Sequence, residues 1–309
     1  MQKYKLFFFF LSLNNKEKLL FNKIIMLTTF ISLDLLFLIP EIFLIFSIII
    51  ILIYSIFIST KYTLLNNKKY NTPIITTIIT NLIIFTSFIL IILYSQNLTN
   101  FQILFNGQFI ISYYTQIGKI FIFGITILCL LTFNSYLKNN QINNYEYLIL
   151  ILISILSICL LLNTNDLLHY YIIIELQSLC FYTITALKKN NIYSSEAGLK
   201  YFILGSIISG LLLLGIALLY GMTGLTNLKE LSIFLLTTTS NKLIIFSFIL
   251  IYTSLLFKLT IAPFHIWAPD VYEGTPSIIT LFFNSVPKFS LLLIFIKILN
   301  VVFFNFINI

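Results

Sequence analysis

Residues 243–267 read LIIFSFILIYTSLLFKLTIAPFHIW, an apolar run interrupted by one charged side chain, Lys258. A helix needs about 20 mostly apolar residues to cross the hydrocarbon core of a bilayer. This stretch meets that length, and it is too long and too evenly apolar for a strand. Pro263 supplies no amide hydrogen to the carbonyl of Leu259, so the helix is expected to break one turn beyond the lysine. Carbonyls freed at membrane depth need protein or water as partners. A buried lysine costs at least about 2.5–3.5 kcal/mol on insertion, and such groups persist where they face a protein interior or a hydrated path. The stretch reads as a broken transmembrane helix carrying a functional cation.

Seven further runs of comparable character surround it. They lie at about Leu35–Ser59, Ile74–Tyr94, Ile111–Leu137, Tyr147–Leu162, Leu167–Leu187, Leu199–Tyr220 and Ile278–Phe306. The expected fold is therefore all-α and transmembrane, a polytopic bundle of about eight spans with the seventh broken. Composition agrees. The chain is 59% hydrophobic and 9% charged, against about 25% charge in a soluble domain. Residues 1–34 are expected to form an interfacial extension with Lys16, Glu17, Lys18 and Lys23 at headgroup level. They resemble a weak signal peptide without a cleavage site. Residues 35–309 would then be one transmembrane domain.

All 18 basic residues are lysine, and the net charge is +8. They are scattered or buried in apolar runs rather than clustered on a polar face, which argues against nucleic-acid binding. Lys61, Lys68, Lys69, Lys138, Lys188 and Lys189 follow the odd-numbered spans and place those exits on the cytoplasmic or matrix side. Cys129, Cys159 and Cys180 stand singly in apolar runs and read as small fillers. His169 and His265 lack partners at metal-ligand spacing. No metal or cofactor site is expected in the chain. Heavy use of Phe, Ile, Asn, Lys and Tyr fits an AT-rich organelle genome.

Three ionisable groups, Glu175, Lys200 and Lys288, share the energetic anomaly of Lys258. Glu175 lies about nine residues, roughly 13 Å, into the fifth span. Lys200 lies near the start of the sixth, whose first turn is expected at Ser194-Ser195-Glu196. Its stem is long enough to reach toward Glu175 on the neighbouring helix, although snorkelling to the surface accounts for it equally well. Lys288 follows Pro287 about ten residues into the eighth span, where another local irregularity is expected. Lys297 sits nearer the far end, and snorkelling suffices for it. His265 falls two turns beyond Lys258 on a continued helix, with an ordinary pKa of about 6.5 suited to a proton relay. An acid and three lysines on successive helices suggest a chain of proton-exchanging groups. The run 267–276, WAPDVYEGTP, reads as a compact surface turn for recognition. Ser206 and Gly210, and Gly205 and Ser209, are four apart and read as helix-packing positions.

Three motifs carry a family resemblance. NDLLHYYIIIELQSL at 165–179, EAGLKYFILGS at 196–206 and FKLTIAPFHIWAPDVYEGTP at 257–276 resemble the fifth, sixth and seventh helices of the antiporter-like subunits of respiratory NADH:quinone oxidoreductase. The DVYEG form at 270–274 is closer to the subunit 2 (bacterial N subunit) branch than to subunits 4 or 5. The resemblance implies a proton-translocating membrane-arm subunit without redox chemistry of its own. Ubiquinone, FMN and iron–sulfur clusters would lie elsewhere in the complex. It assigns proton transfer to Glu175 and Lys200 as a tuning pair, to Lys258 on the broken helix, and onward to His265 and Lys288. It implies a mitochondrial inner-membrane location or, alternatively, a bacterial plasma membrane, with other membrane-arm subunits as partners. A cation/proton antiporter subunit and an inactive membrane scaffold are the competing readings. Fuller family members carry a second inverted repeat. This chain is expected to be the first repeat, with the second either separately encoded or lost, and a separately encoded fragment is the preferred reading because loss would expose Lys288 to lipid.

Overall fold

The computed structural model describes residues 34, 35, 37–64, 72–96, 101–140, 145–186, 191–237 and 242–300. Ten α-helices are described. They are α1 Ile39–Leu64, α2 Thr72–Gln96, α3 Tyr113–Asn140, α4 Tyr145–Asn163, α5 Leu167–Thr185, α6 Ile192–Thr223, α7 Leu228–Thr237, α8 Lys242–Lys258, α9 Trp267–Gly274 and α10 Ser277–Ile298. Six of these, α1, α3, α4, α5, α6 and α10, are long and apolar enough to cross a membrane. Helix α8 has 17 residues, about 26 Å, which falls short of a ~30 Å hydrocarbon core by itself. The chain is a multi-pass membrane protein. The interfacial extension expected over residues 1–34 falls outside the described residues apart from Asp34, as do Lys68, Lys69, Lys188 and Lys189.

Helix α4 is the centre of the bundle. It packs against α1, α2, α3, α5 and α10, and Leu148, Ile151, Ile158, Cys159 and Leu161 along it are fully enclosed. Only three residues join it to α5, so the two helices turn back on each other and share a long interface. Helix α6 packs between α5 and α8 and also receives α9. It begins at Ile192, two residues before the first turn expected at Ser194. Asn191 caps it by accepting from the amide of Tyr193, whereas the expected cap, Ser194, donates to the carbonyl of Thr185 at 2.7 Å. The side chain of Asn191 competes for the exposed amide two residues on, which is what favours Asn at a helix start.

Two elements were not expected from periodicity. A short antiparallel hairpin, β1 Gln102–Leu104 and β2 Phe109–Ile111, caps the ends of α4 and α5. Its turn holds Phe105, Asn106 and Gly107 at positive φ. The amide of Asn165 donates to Gln108, and the side chains of Asn165 and Asn227 both donate to the carbonyl of Gly107. The second is α9. The expected surface turn at Trp267–Pro276 is instead a two-turn helix, because Pro269 sits where a helix's first amides need no partner and Asp270 suits its positive end. All three cysteines are buried and free.

Candidate functional site

Helix α8 ends at Lys258, and the chain runs through non-helical turns to Trp267. The break is built from several features together. Thr260 takes a left-handed conformation at φ 57°, and the Ala262–Pro263 peptide is cis. The carbonyl of Phe257, freed from the helix, accepts from the amide of Thr260 at 3.0 Å and from the indole nitrogen of Trp267 at 3.3 Å. Trp267 lies flat between Tyr201 and Phe257, with centroids 5.0 and 5.6 Å away and planes within 11°. The sequence thus seats one aromatic residue where the broken helix needs both a donor and a packing surface.

The break delivers Lys258 to Glu175. Their closest atoms, Nζ and Oε1, are 3.7 Å apart, and the side chains are 13% and 25% exposed. That separation is an ion pair without a direct hydrogen bond, so a small movement makes or breaks it. Ser178 donates to the other carboxylate oxygen at 3.4 Å. Lys258 also occupies the C-terminal end of α8, where unpaired carbonyls favour a cation. Lys288 completes the group. Its ammonium donates to Thr260 Oγ1 at 2.7 Å and lies 5.3 Å from the ring centre of Tyr272. Lys258 and Lys288 line one open cleft with Gln177, Ser178, Tyr182, Tyr201 and Trp267. Helix α10 runs through Pro287 as one helix, so the irregularity expected there is confined to a missing amide hydrogen.

Two expected members stand apart. Lys200 does not reach Glu175. It lies on the exposed face of α6 and pairs with Glu196 and with Asp270 of α9, each at 2.9 Å. Residues one turn apart on a helix meet, which gives Glu196 its place, and α9 folds back over α6 to bring Asp270. The acid–lysine pair is therefore Glu175–Lys258. His265 is exposed on the connector, and no described contact ties it to Lys258. The helical face that would have aligned them does not exist, because residues 259–266 are not helical. Lys297 does not snorkel outward. Its ammonium turns in to the carbonyl of Thr164.

A second charged pair escaped the motif reading altogether. Lys119 Nζ and Glu41 Oε1 are 2.5 Å apart, with side chains 0% and 2% exposed. Lys119 lies inside the apolar run of α3, and the same test that singles out Lys258 applies to it. Among the described residues no group of three or more His, Cys, Asp or Glu side chains is arranged to hold a metal ion.

Residues 164–309 match the family described as NADH:quinone oxidoreductase/Mrp antiporter, transmembrane. The chain is 40% identical over 267 residues to NADH-ubiquinone oxidoreductase chain 2 of Marchantia polymorpha, covering 84% of this chain and 53% of that protein. It is 37% identical over 277 residues to NADH-quinone oxidoreductase subunit N of Pelagibacter ubique, covering 89% and 55%. The chain spans about half the length of the curated relatives it matches. Its fold is similar to a chain of respiratory complex I from Thermus thermophilus with bound aureothin, at TM-score 0.61 and 22% identity over 80% of this chain and 52% of that one.

Proposed function

We propose, from the membership of residues 164–309 in the NADH:quinone oxidoreductase/Mrp antiporter transmembrane family, that this chain is a proton-translocating membrane-arm subunit of an NADH:ubiquinone oxidoreductase. It would be a non-redox subunit of that enzyme, with ubiquinone, FMN and iron–sulfur clusters held elsewhere. Its setting is a mitochondrial inner membrane or a bacterial plasma membrane, and its partners are other membrane-arm subunits. Residues 35–309 act as one transmembrane domain equivalent to the family's first inverted repeat. The remainder of the relatives' length is supplied by further residues on this polypeptide or by a separate one.

The observation that carries the reading is the loose Glu175–Lys258 pair at the helix break. Protonating Glu175 removes the charge that holds Lys258 as an ammonium. Lys258 then releases its proton into the cleft it shares with Lys288, which takes it up when its own proton has moved on. Glu175, Lys258 and Lys288 transfer the proton. His265 serves at the exposed mouth of the connector. Lys200 is a positioning residue, tying α9 to α6 through Asp270.

The test is Lys258→Met in the assembled complex reconstituted in vesicles. Proton translocation should be lost while assembly and quinone reduction persist. Unchanged pumping would sink the transport role and leave a scaffold. Copurification settles the choice of complex, since a preparation lacking redox subunits would move the chain to a cation/proton antiporter.

A further inference from the structure

The Glu41–Lys119 pair lies outside the family-matched residues and outside the cleft just described. It joins four helices. Glu41 comes from the first turn of α1, Lys119 from α3, Tyr94 from the end of α2 and Asn163 from the last residue of α4. Asn163 Nδ2 donates to Glu41 Oε1 at 3.0 Å, the same oxygen that faces Lys119. The lysine ammonium sits 4.7 Å from the ring centre of Tyr94. Glu41, Tyr94, Lys119 and Asn163 are each at most 2% exposed.

A buried pair of this kind is weak evidence of stability. Desolvating two charges offsets most of their attraction, and apolar replacements are often neutral or stabilising. A lock between helices would also be expected to satisfy its polar atoms. Here three fully enclosed atoms, Glu41 Oε2, Tyr94 Oη and Asn163 Oδ1, have no protein partner within 3.5 Å in hydrogen-bonding geometry, although the Tyr94 hydroxyl faces the Glu41 carboxylate. Buried polar atoms left in this state are the ones that ordered water completes in folded proteins.

A physical link joins this cluster to the cleft. Helix α10 carries Lys288 at the cleft and Lys297 nine residues further, about 14 Å along the axis. Lys297 donates to the carbonyl of Thr164, and the preceding residue is Asn163, which holds Glu41. We infer that Glu41, Lys119, Tyr94 and Asn163 form a second, hydrated proton-holding site at the hairpin-capped end of the bundle, linked through Lys297 and α10 to the Glu175–Lys258 site. A proton taken up from water converts the Glu41 carboxylate to the acid while Lys119 remains an ammonium, so the site's charge steps from zero to +1. Release of that proton restores the pair.

The inference rests on reading the chain as a proton-translocating subunit, so its test runs beside Lys258→Met in the same reconstituted complex. The paired variant Glu41→Leu/Lys119→Met removes both charges and strands neither. It should assemble and reduce quinone, while protons translocated per quinone fall to the level of the Lys258→Met complex. Glu41→Gln, with the lysine kept, should abolish a deuterium-sensitive carboxylic-acid band in infrared difference spectra of the turning-over complex. Wild-type pumping in the paired variant, or an unchanged band in Glu41→Gln, overturns the second site. Failure of the paired variant to assemble overturns it too, because the charges would then be needed for packing. Impaired Lys258→Met with normal pumping in the paired variant removes the second site alone. Normal pumping in Lys258→Met removes the function itself.

Discussion

At the scale of single residues, the charged positions inside the family motifs are legible and their pairing is not, while Lys119 stands outside those motifs. Glu175, Lys258 and Lys288 announce themselves because hydrocarbon does not tolerate ions without a reason. Which acid meets which lysine depends on helix rotation and on where α9 folds, and neither is written in one-dimensional spacing. Hence Lys200 was expected at Glu175 but pairs with Asp270. Small residues show the same division. Gly205 reads as a packing position, yet its partner is visible only in three dimensions. A Cβ there would lie 2.0 Å from the hydroxyl of Tyr182. Gly205→Ala should therefore destabilise the α5–α6 contact by about 1–3 kcal/mol, the usual scale of overpacking. Adding Tyr182→Phe should recover part of the loss, as read by thermal denaturation of the detergent-solubilised complex. Equal stability of Gly205→Ala and wild type would show that the two helices part freely.

At the scale of elements, helices were legible from length and hydropathy, and irregular elements were legible only as chemistry. Pro263 predicts an interruption beyond Lys258, and α8 stops at Lys258 with residues 259–266 non-helical. Nothing in periodicity marks α9, because eight residues are too few for a helical repeat to stand out from a turn. The hairpin had a signal that went unread. Asn106-Gly107 between two apolar triplets is a strong turn signature, since both residue types tolerate positive φ. The connector between α8 and α9 depends on Trp267, which joins two ring stacks to the bond it donates to Phe257. Each aromatic contact contributes about 0.5–1.5 kcal/mol beyond burial. Trp267→Leu keeps apolar bulk but removes the donor and the stacks. Amide hydrogen exchange across α9 should then speed up while exchange in α4 stays unchanged. Unchanged exchange in α9 would mean that Lys200–Asp270 and the close approach of Gly274 to Tyr193 hold the element without the tryptophan.

At the scale of the whole molecule, one buried and one partly exposed acid–lysine pair stand on one bundle, and α10 packs against helices that carry both. The face of α10 around Lys288 is the informative one. Leu292 lies one turn beyond Lys288 on the same side and is 46% exposed, and Leu281, about two turns before it, is 45% exposed. Lys288 itself is incompletely enclosed, with its ammonium held by a hydroxyl and an aromatic ring rather than by an acid. A cation near the middle of a span that faced lipid would be expelled or neutralised. This face therefore belongs against protein or a hydrated passage in the assembled complex. The relatives' additional length is the natural source of that cover, whether it continues this polypeptide or arrives on another. A photo-crosslinking amino acid at Leu292, activated in the intact membrane complex, should capture polypeptide. Mass spectrometry of the product then distinguishes a later segment of this chain from a separate subunit. Capture of lipid alone would place Lys288 at the bilayer, and the onward step from Lys258 would lose its destination.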